Sequence, residues 1–251
     1  MLLGLDHVIL AVRDPDVAAG QLSAALGLPA GGGGRHEAHG TRNRLLWLGD
    51  AYIELMGVFD ARLAARSWWG RHAQALMSES DAAYMGVALA SDDVGADAER
   101  LRAVGSALDE PESGERSRPD GRTVRWRLAH AATPDRDLGL AFLIEHDPAS
   151  AEWTAAERAA RAAATSLRLR RLELPVADMR AATVRLHRDL GVAFRPSLAG
   201  GGARDGAVGA QTIRLLRRGQ SPRVILAGGP AALAFWLLGC DWQVEPAVSD
   251  R

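Results

Sequence analysis

Residues 5–12, LDHVILAV, are apolar except for Asp6 and His7 and are predicted to form a β-strand, in which successive side chains point to opposite faces. Leu5, His7, Ile9 and Ala11 fall on one face, and Asp6, Val8, Leu10 and Val12 on the other. Asp14 and Pro15 close this strand and open a helix whose apolar stripe is Val17, Leu22, Leu26 and Leu28, ended by the glycines from Gly31. The face with Val8, Leu10 and Val12 covers that helix, which leaves the His7 face to look at something else. After the glycine run and RHEAHGTRN, an apolar stretch over residues 45–48, a turn at Gly49 and Asp50, and AYIELMGV predict a hairpin. In its second strand Tyr52, Glu54 and Met56 share a face, so a carboxylate stands in an otherwise apolar strand. The order is β-α-β-β-β.

That order returns. Residues 59–76 have a helical pattern containing the pair Trp68 and Trp69, and are expected to bridge to a second unit. Strands begin again at Tyr84, Thr123 and Leu140, with a helix over residues 92–104. Laid over the first unit, Gly86 falls where His7 stands and Glu145 where Glu54 stands. A third pass opens with LRLRRLELPVADM, placing Arg171 at the His7 position, and closes with a hairpin of AQTIRLLRRG and PRVILAGG, placing Ile225 at that of Glu54. Internal repetition on this scale means a fold built from copies. Each unit has a helix on one sheet face, so two units combine into a shared concave surface. The expectation is an α+β fold of repeated βαβββ modules: residues 1–148 pair two modules into a cup-shaped mixed sheet, 149–166 form a linker helix, and 167–251 form a degenerate third module. Its bare face would expose Leu169, Ile213 and Ile225 and need a cover, from AALAFWLLGCDW or a second subunit, so a homodimer is expected.

Composition narrows the chemistry. A net charge of −1 supplies no basic field for nucleic acid or an anionic membrane, and no apolar run is long enough to span a bilayer. A cytoplasmic protein with a small-molecule partner is the expectation. The single cysteine, Cys240, excludes an intrachain disulfide and a multi-cysteine zinc site, and reads as a packed apolar side chain. The sequence contains no lysine, which removes Schiff-base chemistry.

The LDHV opening, the YIEL closing and the stretch GGRHEAHGTRN followed by LLWLGDAYIEL resemble the vicinal oxygen chelate superfamily, and more narrowly its glyoxalase-like domains. Glyoxalase I, extradiol dioxygenases and bleomycin-resistance proteins belong to this superfamily. The match covers residues 4–147. The resemblance implies a divalent metal at the base of the cup, held by His7, Glu54 and Glu145, with the fourth position empty of a side chain at Gly86. Such a carboxylate-rich set leans toward manganese, iron(II) or magnesium over zinc, with nickel as a further option, and His36, His39 or water would supply a fourth ligand. Equally, the cup implies a metal-free binder.

His36 and His39 lie in a glycine-flanked loop, solvated or, for His36, swung over the cup rim as an acid/base group. Thr41 and Asn43 share a face with Leu45 and Trp47. Arg125 and Arg127 alternate with Val124, Trp126 and Leu128; they face the cup and hold an anionic group, or they protect an exposed strand by charge. The leading expectation is a metal-dependent lyase or isomerase, or a dioxygenase, acting on a small carbonyl or enolizable substrate. Glu54, Glu145 and His36 would be catalytic, and Thr41, Asn43, Trp47, Tyr52, Arg125 and Arg127 would bind substrate. The competing class is a drug-sequestering protein.

Overall fold

The computed structural model describes residues 1–131, 134–135, 137–217 and 221–247. The first module runs β1 (Leu2–Val12), α1 (Pro15–Leu26), β2 (Ala30–His36), β3 (Thr41–Leu48) and β4 (Ala51–Val58). Asp14 caps α1 by accepting the N–H groups of Asp16 and Val17, and Gly27 ends it in the left-handed conformation. The buried side of α1 is Ala18, Ala19 and Leu22, and Val17 points to solvent. Small residues let the helix lie close to the sheet. A short α2 (Ala61–Ala64) and α3 (Trp68–Glu79) lead to the second module: β5 (Ala82–Ser91), α4 (Val94–Ala103), β6 (Glu112–Ser117), β7 (Thr123–His130) and β8 (Leu140–His146).

The two modules close completely. The strands form a barrel in the order β1-β4-β3-β2-β6-β7-β8-β5, with β1 parallel to β4 and antiparallel to β5. Val8, Leu10 and Val12 face outward onto α1, while Ile9 and Ala11 face the interior. Helix α3 packs Trp69 and Ala73 on that interior set, against Ile9, Met85 and Phe142, so the bridging segment also stoppers the barrel. Between β2 and β6 one residue pair, Arg35 with Ser117, carries the ladder. A Cβ at Gly34 would collide with the Ser117 carbonyl, and one at Gly33, where φ is +110°, with that of Asn43. The glycine run is therefore a strand, and its missing side chains let the barrel shut.

The remainder comprises α5 (Ala155–Ala164), β9 (Arg168–Val176), α6 (Met179–Leu190), β10 (Phe194–Pro196), β11 (Arg204–Val208), β12 (Gln211–Arg217), β13 (Arg223–Gly229), β14 (Leu233–Leu237) and β15 (Cys240–Pro246). Thr154 and Glu157 form a reciprocal capping box that starts α5. The seven-stranded sheet has the order β10-β11-β12-β9-β13-β15-β14. Strand β9 is parallel to β12 and antiparallel to β13, and β13 is parallel to β15, which repeats the β1, β4, β5, β8 relations of the barrel.

Three expectations are corrected here. The sequences around Ile213 and Ile225 do not form a hairpin, because β12 and β13 flank β9 on opposite sides; the turn expected at residues 218–220 lies outside the described residues. The register sets Arg214, not Ile225, at the Glu54 position, since Glu54 pairs with Ile9 and Arg214 with the matching Glu173. AALAFWLLGCDW does not cover the sheet but extends it as β14 and β15. Leu169 and Ile213 are buried in a core shared with the barrel's outer face and helices α1, α4 and α6. The other face carries arginines and acids.

Candidate functional site

The barrel interior holds a cavity of about 250 Å³. Its polar wall begins in β1, where a break in register between Leu5 and His7 turns Leu5 outward and brings Asp6 and His7 together onto the cavity. His7 Nδ1 lies 2.6 Å from Asp6 Oδ1, and His7 Nε2 lies 3.3 Å from Glu54 Oε2. The imidazole stacks on Tyr52, with ring centres 4.6 Å apart, and meets Phe142 edge-on. Asn43 donates to Glu54 Oε1 at 2.6 Å, while its own Oδ1 accepts the Gly34 N–H, which fixes the amide's orientation. His146 Nε2 reaches both Asp6 oxygens at 3.1 Å. Asp6, His7, Asn43 and Glu54 are all buried.

Charge decides the protonation. Burial alone pulls His7 down, but the hydrogen bonds to Asp6 and Glu54 outweigh it and raise its pKa to about 9. Burial likewise opposes ionisation of Glu54, and the contacts with His7 bring it down to about 2. Asp6 is lowered in the same way, against burial, by His146 and His7. A carboxylate, an imidazolium and a second carboxylate thus stand in a row. His36, by contrast, is lowered to about 4, first by burial and then by the Arg116 charge, against a pull from Glu54. It stays neutral and holds Thr41 Oγ1 at 3.0 Å.

The structure brings His7, His36, Thr41, Asn43, Trp47, Tyr52 and Glu54 onto one cavity. His36 is the buried last residue of β2, not part of a solvated loop. Glu145 is not brought there. Through β-pairing, Glu54 sits opposite Ile9 and Phe142 sits opposite Ala88, so Phe142 holds the mirrored position, three residues from Glu145. An odd offset puts a side chain on the other face of a strand. Glu145 instead accepts the Val94 N–H at the start of α4. Arg125 and Arg127 also point outward, the former toward Glu115 and the latter toward Glu145, because the apolar partners Val124, Trp126 and Leu128 line the cavity.

The residues present do not fit the metal centre that the resemblance implies. The second module offers Phe142 and Gly86, and a Cβ at Gly86 would strike the Leu140 backbone. His7 spends both nitrogens on carboxylates. Among the described residues, no group of three or more His, Cys, Asp or Glu is arranged to hold a metal ion.

Sequence reasoning missed Asp6, which alternation sent to the wrong face, His146, which ends a strand read for its carboxylate at Glu145, and Arg116, Glu152 and Trp153, which come from segments read as turn and linker. No local signal marks them; the barrel's closure assembles them.

Paired βαβββ modules around one inward-facing site define a protein of the vicinal oxygen chelate type. A family model for the glyoxalase-like domain matches residues 5–190, and the chain belongs to that family. Divalent metals are frequent in this superfamily. A hypothetical protein from Staphylococcus aureus superposes with a TM-score of 0.78 at 17% identity, covering 98% of this chain and 100% of its own. Methylmalonyl-CoA epimerase from Mycobacterium tuberculosis, at 26% identity, covers 58% of this chain and 89% of its own, with a TM-score of 0.44. No curated protein matches the sequence. No helix among the described residues is long and apolar enough to cross a membrane.

Proposed function

We propose that the protein is an acid–base enzyme that moves a proton on a small enolizable carbonyl compound inside the barrel, with His7 and Glu54 at the reacting atoms. The buried row of Asp6, His7 and Glu54 carries this reading. Three ionisable groups taken out of water are costly, and a cavity that only sequesters an apolar ligand has no use for them. Asp6 anchors the imidazolium through Nδ1, leaving the Nε2 proton on the weaker, 3.3 Å contact. A substrate carbonyl oxygen takes that proton's hydrogen bond in place of Glu54, so the negative charge that develops on the oxygen meets a fixed cation. Glu54, relieved of its partner and held by Asn43, regains basicity and removes the adjacent carbon-bound proton. His36, neutral and fixed by Thr41, is the second group able to receive or return a proton. The binder of the competing reading would use the same aromatic lining but leave the proton untouched.

The test is solvent deuterium uptake, followed by proton NMR, across a panel of 2-oxo acids, 2-oxo esters and 1,3-dicarbonyl compounds. The wild type is expected to accelerate exchange of at least one, and Glu54→Gln to abolish it while ligand still binds. Binding with no accelerated exchange anywhere in the panel establishes the sequestering protein instead.

A further inference from the structure

The cavity has a second polar region, and its hydrogen bonding is one-sided. Arg116, in β6, is buried and lines the cavity with Trp47 of β3 and with Trp153, which lies just before α5. Arg116 Nη2 is bonded to Glu152, yet Arg116 Nη1 has no partner. The indole nitrogens of Trp47 and Trp153 are also buried without partners, and the two rings meet edge to face at 4.7 Å. Guanidinium and indole N–H groups only donate. Three pure donors on one cavity therefore lack acceptors, whereas the acids opposite, Asp6 and Glu54, have theirs filled. Leaving buried donors unpaired is expensive, so a set of them along one cavity marks where a ligand's acceptors belong.

The charge agrees. Glu152 is shared between Arg116 and Arg118, at 2.7 Å from the latter, and also accepts the Gly33 N–H; Arg118 has Asp120 as a second acid at 3.1 Å, itself shared with Arg122, so two carboxylates serve three guanidinium groups. Arg158, also along the cavity but exposed to solvent, donates to the Trp153 carbonyl. The other carboxylates along the cavity, Asp50 and Glu112, are exposed to solvent. The cavity is also lined by apolar side chains, among them Leu45, Trp126 and Ile144.

We infer that Arg116, with the Trp47 and Trp153 indoles, forms a carboxylate subsite, so that the ligand is a small oxo acid. Its carboxylate lies at Arg116, its apolar body runs along the aromatic lining, and its carbonyl reaches His7. This rests on the reading of His7 and Glu54 above, but its test does not require turnover.

Calorimetric titration compares 5-oxohexanoate, in which a methylene chain separates carboxylate from carbonyl, with its methyl ester and with inorganic phosphate. The wild type is expected to bind the acid at least about tenfold more tightly than the ester, the worth of one charge-assisted contact. Arg116→Met is expected to erase that preference, with Arg118 still neutralising Glu152. Trp153→Phe keeps the ring, removes one donor and weakens the acid alone, which guards against a failure of Arg116→Met to fold. Equal affinity for acid and ester, an acid preference that survives in both variants, tighter binding of phosphate than of the acid, or no binding of the acid up to about 10 mM would each overturn the assignment. Acid preference without deuterium exchange leaves the subsite standing and removes the enzyme; exchange that is faster on the ester does the reverse.

Discussion

The barrel and the C-terminal sheet are two outcomes of one strand topology. In both, a central strand has a parallel neighbour on one side and an antiparallel neighbour on the other. In the barrel the matched positions carry His7 and Glu54, a cation set between acids; in the open sheet they carry Arg171 and Arg214, with Glu173 set among cations. Glu173 is buried and lies 2.7 Å from Arg171, 3.2 Å from Arg223 and 3.5 Å from Arg214, while Arg214 also grips Asp205. The open sheet thus reverses the sign of the barrel's row and satisfies it within one face. What differs is closure. The second half of the C-terminal region, β13 to β15, has no helix and no counterpart of β6, so its sheet ends in two edges, β10 and β14. A row of charges becomes a reactive site only where the surrounding strands keep water out and leave a hydrogen bond to be exchanged.

The largest difference should appear on removing a cation from each row. His7→Ala leaves Glu54 buried without its cation and Asp6 with His146 alone, and is expected to cost about 3–5 kcal/mol in chemical denaturation. Arg171→Ala leaves the buried Glu173 two remaining guanidinium partners, Arg214 and Arg223, and should cost less, about 1–2 kcal/mol. Equal losses would mean that closure does not set the energetics of the two faces.

Next in size is a pH effect confined to the barrel. The folded pKa of His7, about 9, is above its ordinary 6.5, so its contribution is complete below pH 6.5 and is lost as the pH rises through 9. His36 is shifted the other way, to about 4, so its contribution is complete above pH 6.5 and lost as the pH falls through 4. Unfolding free energy should therefore peak near pH 6.5, and His36→Phe should flatten the acid limb between pH 6.5 and 4. An unchanged acid limb in that variant would show that His36 is not the buried neutral group described.

The smallest effect sharpens the boundary between the barrel's two faces. Glu145→Ala should lower stability by about 1 kcal/mol through loss of the bond to the Val94 N–H, and leave oxo-acid affinity unchanged. Lost affinity would return Glu145 to the cavity.

The sequence made the module order, the hairpin at Gly49 and Asp50, and the shared face of Thr41, Asn43 and Trp47 legible, because each depends on local periodicity. Asp6 and Glu145 were misread for a common reason. A bulge in β1 and a three-residue offset between repeats both change which face a side chain takes, and neither leaves a trace in composition. Arg125 and Arg127 were ambiguous because an apolar strand face packs equally well on a helix or into a ligand cavity. Arg116 and Trp153 belong to segments 100 residues and more from β1 in sequence, and only the closed barrel makes them neighbours of His7.

The seam at Gly33 and Gly34 limits how this protein can vary. Any side chain there meets backbone on the facing strand, and backbone has no rotamer with which to move aside. Most positions in a sheet accept a change of residue by repacking, but these two are fixed by what is missing from them. A single methyl group at Gly34 would separate β2 from β6 and open the barrel, and the chain would then carry two open sheets instead of one closed and one open.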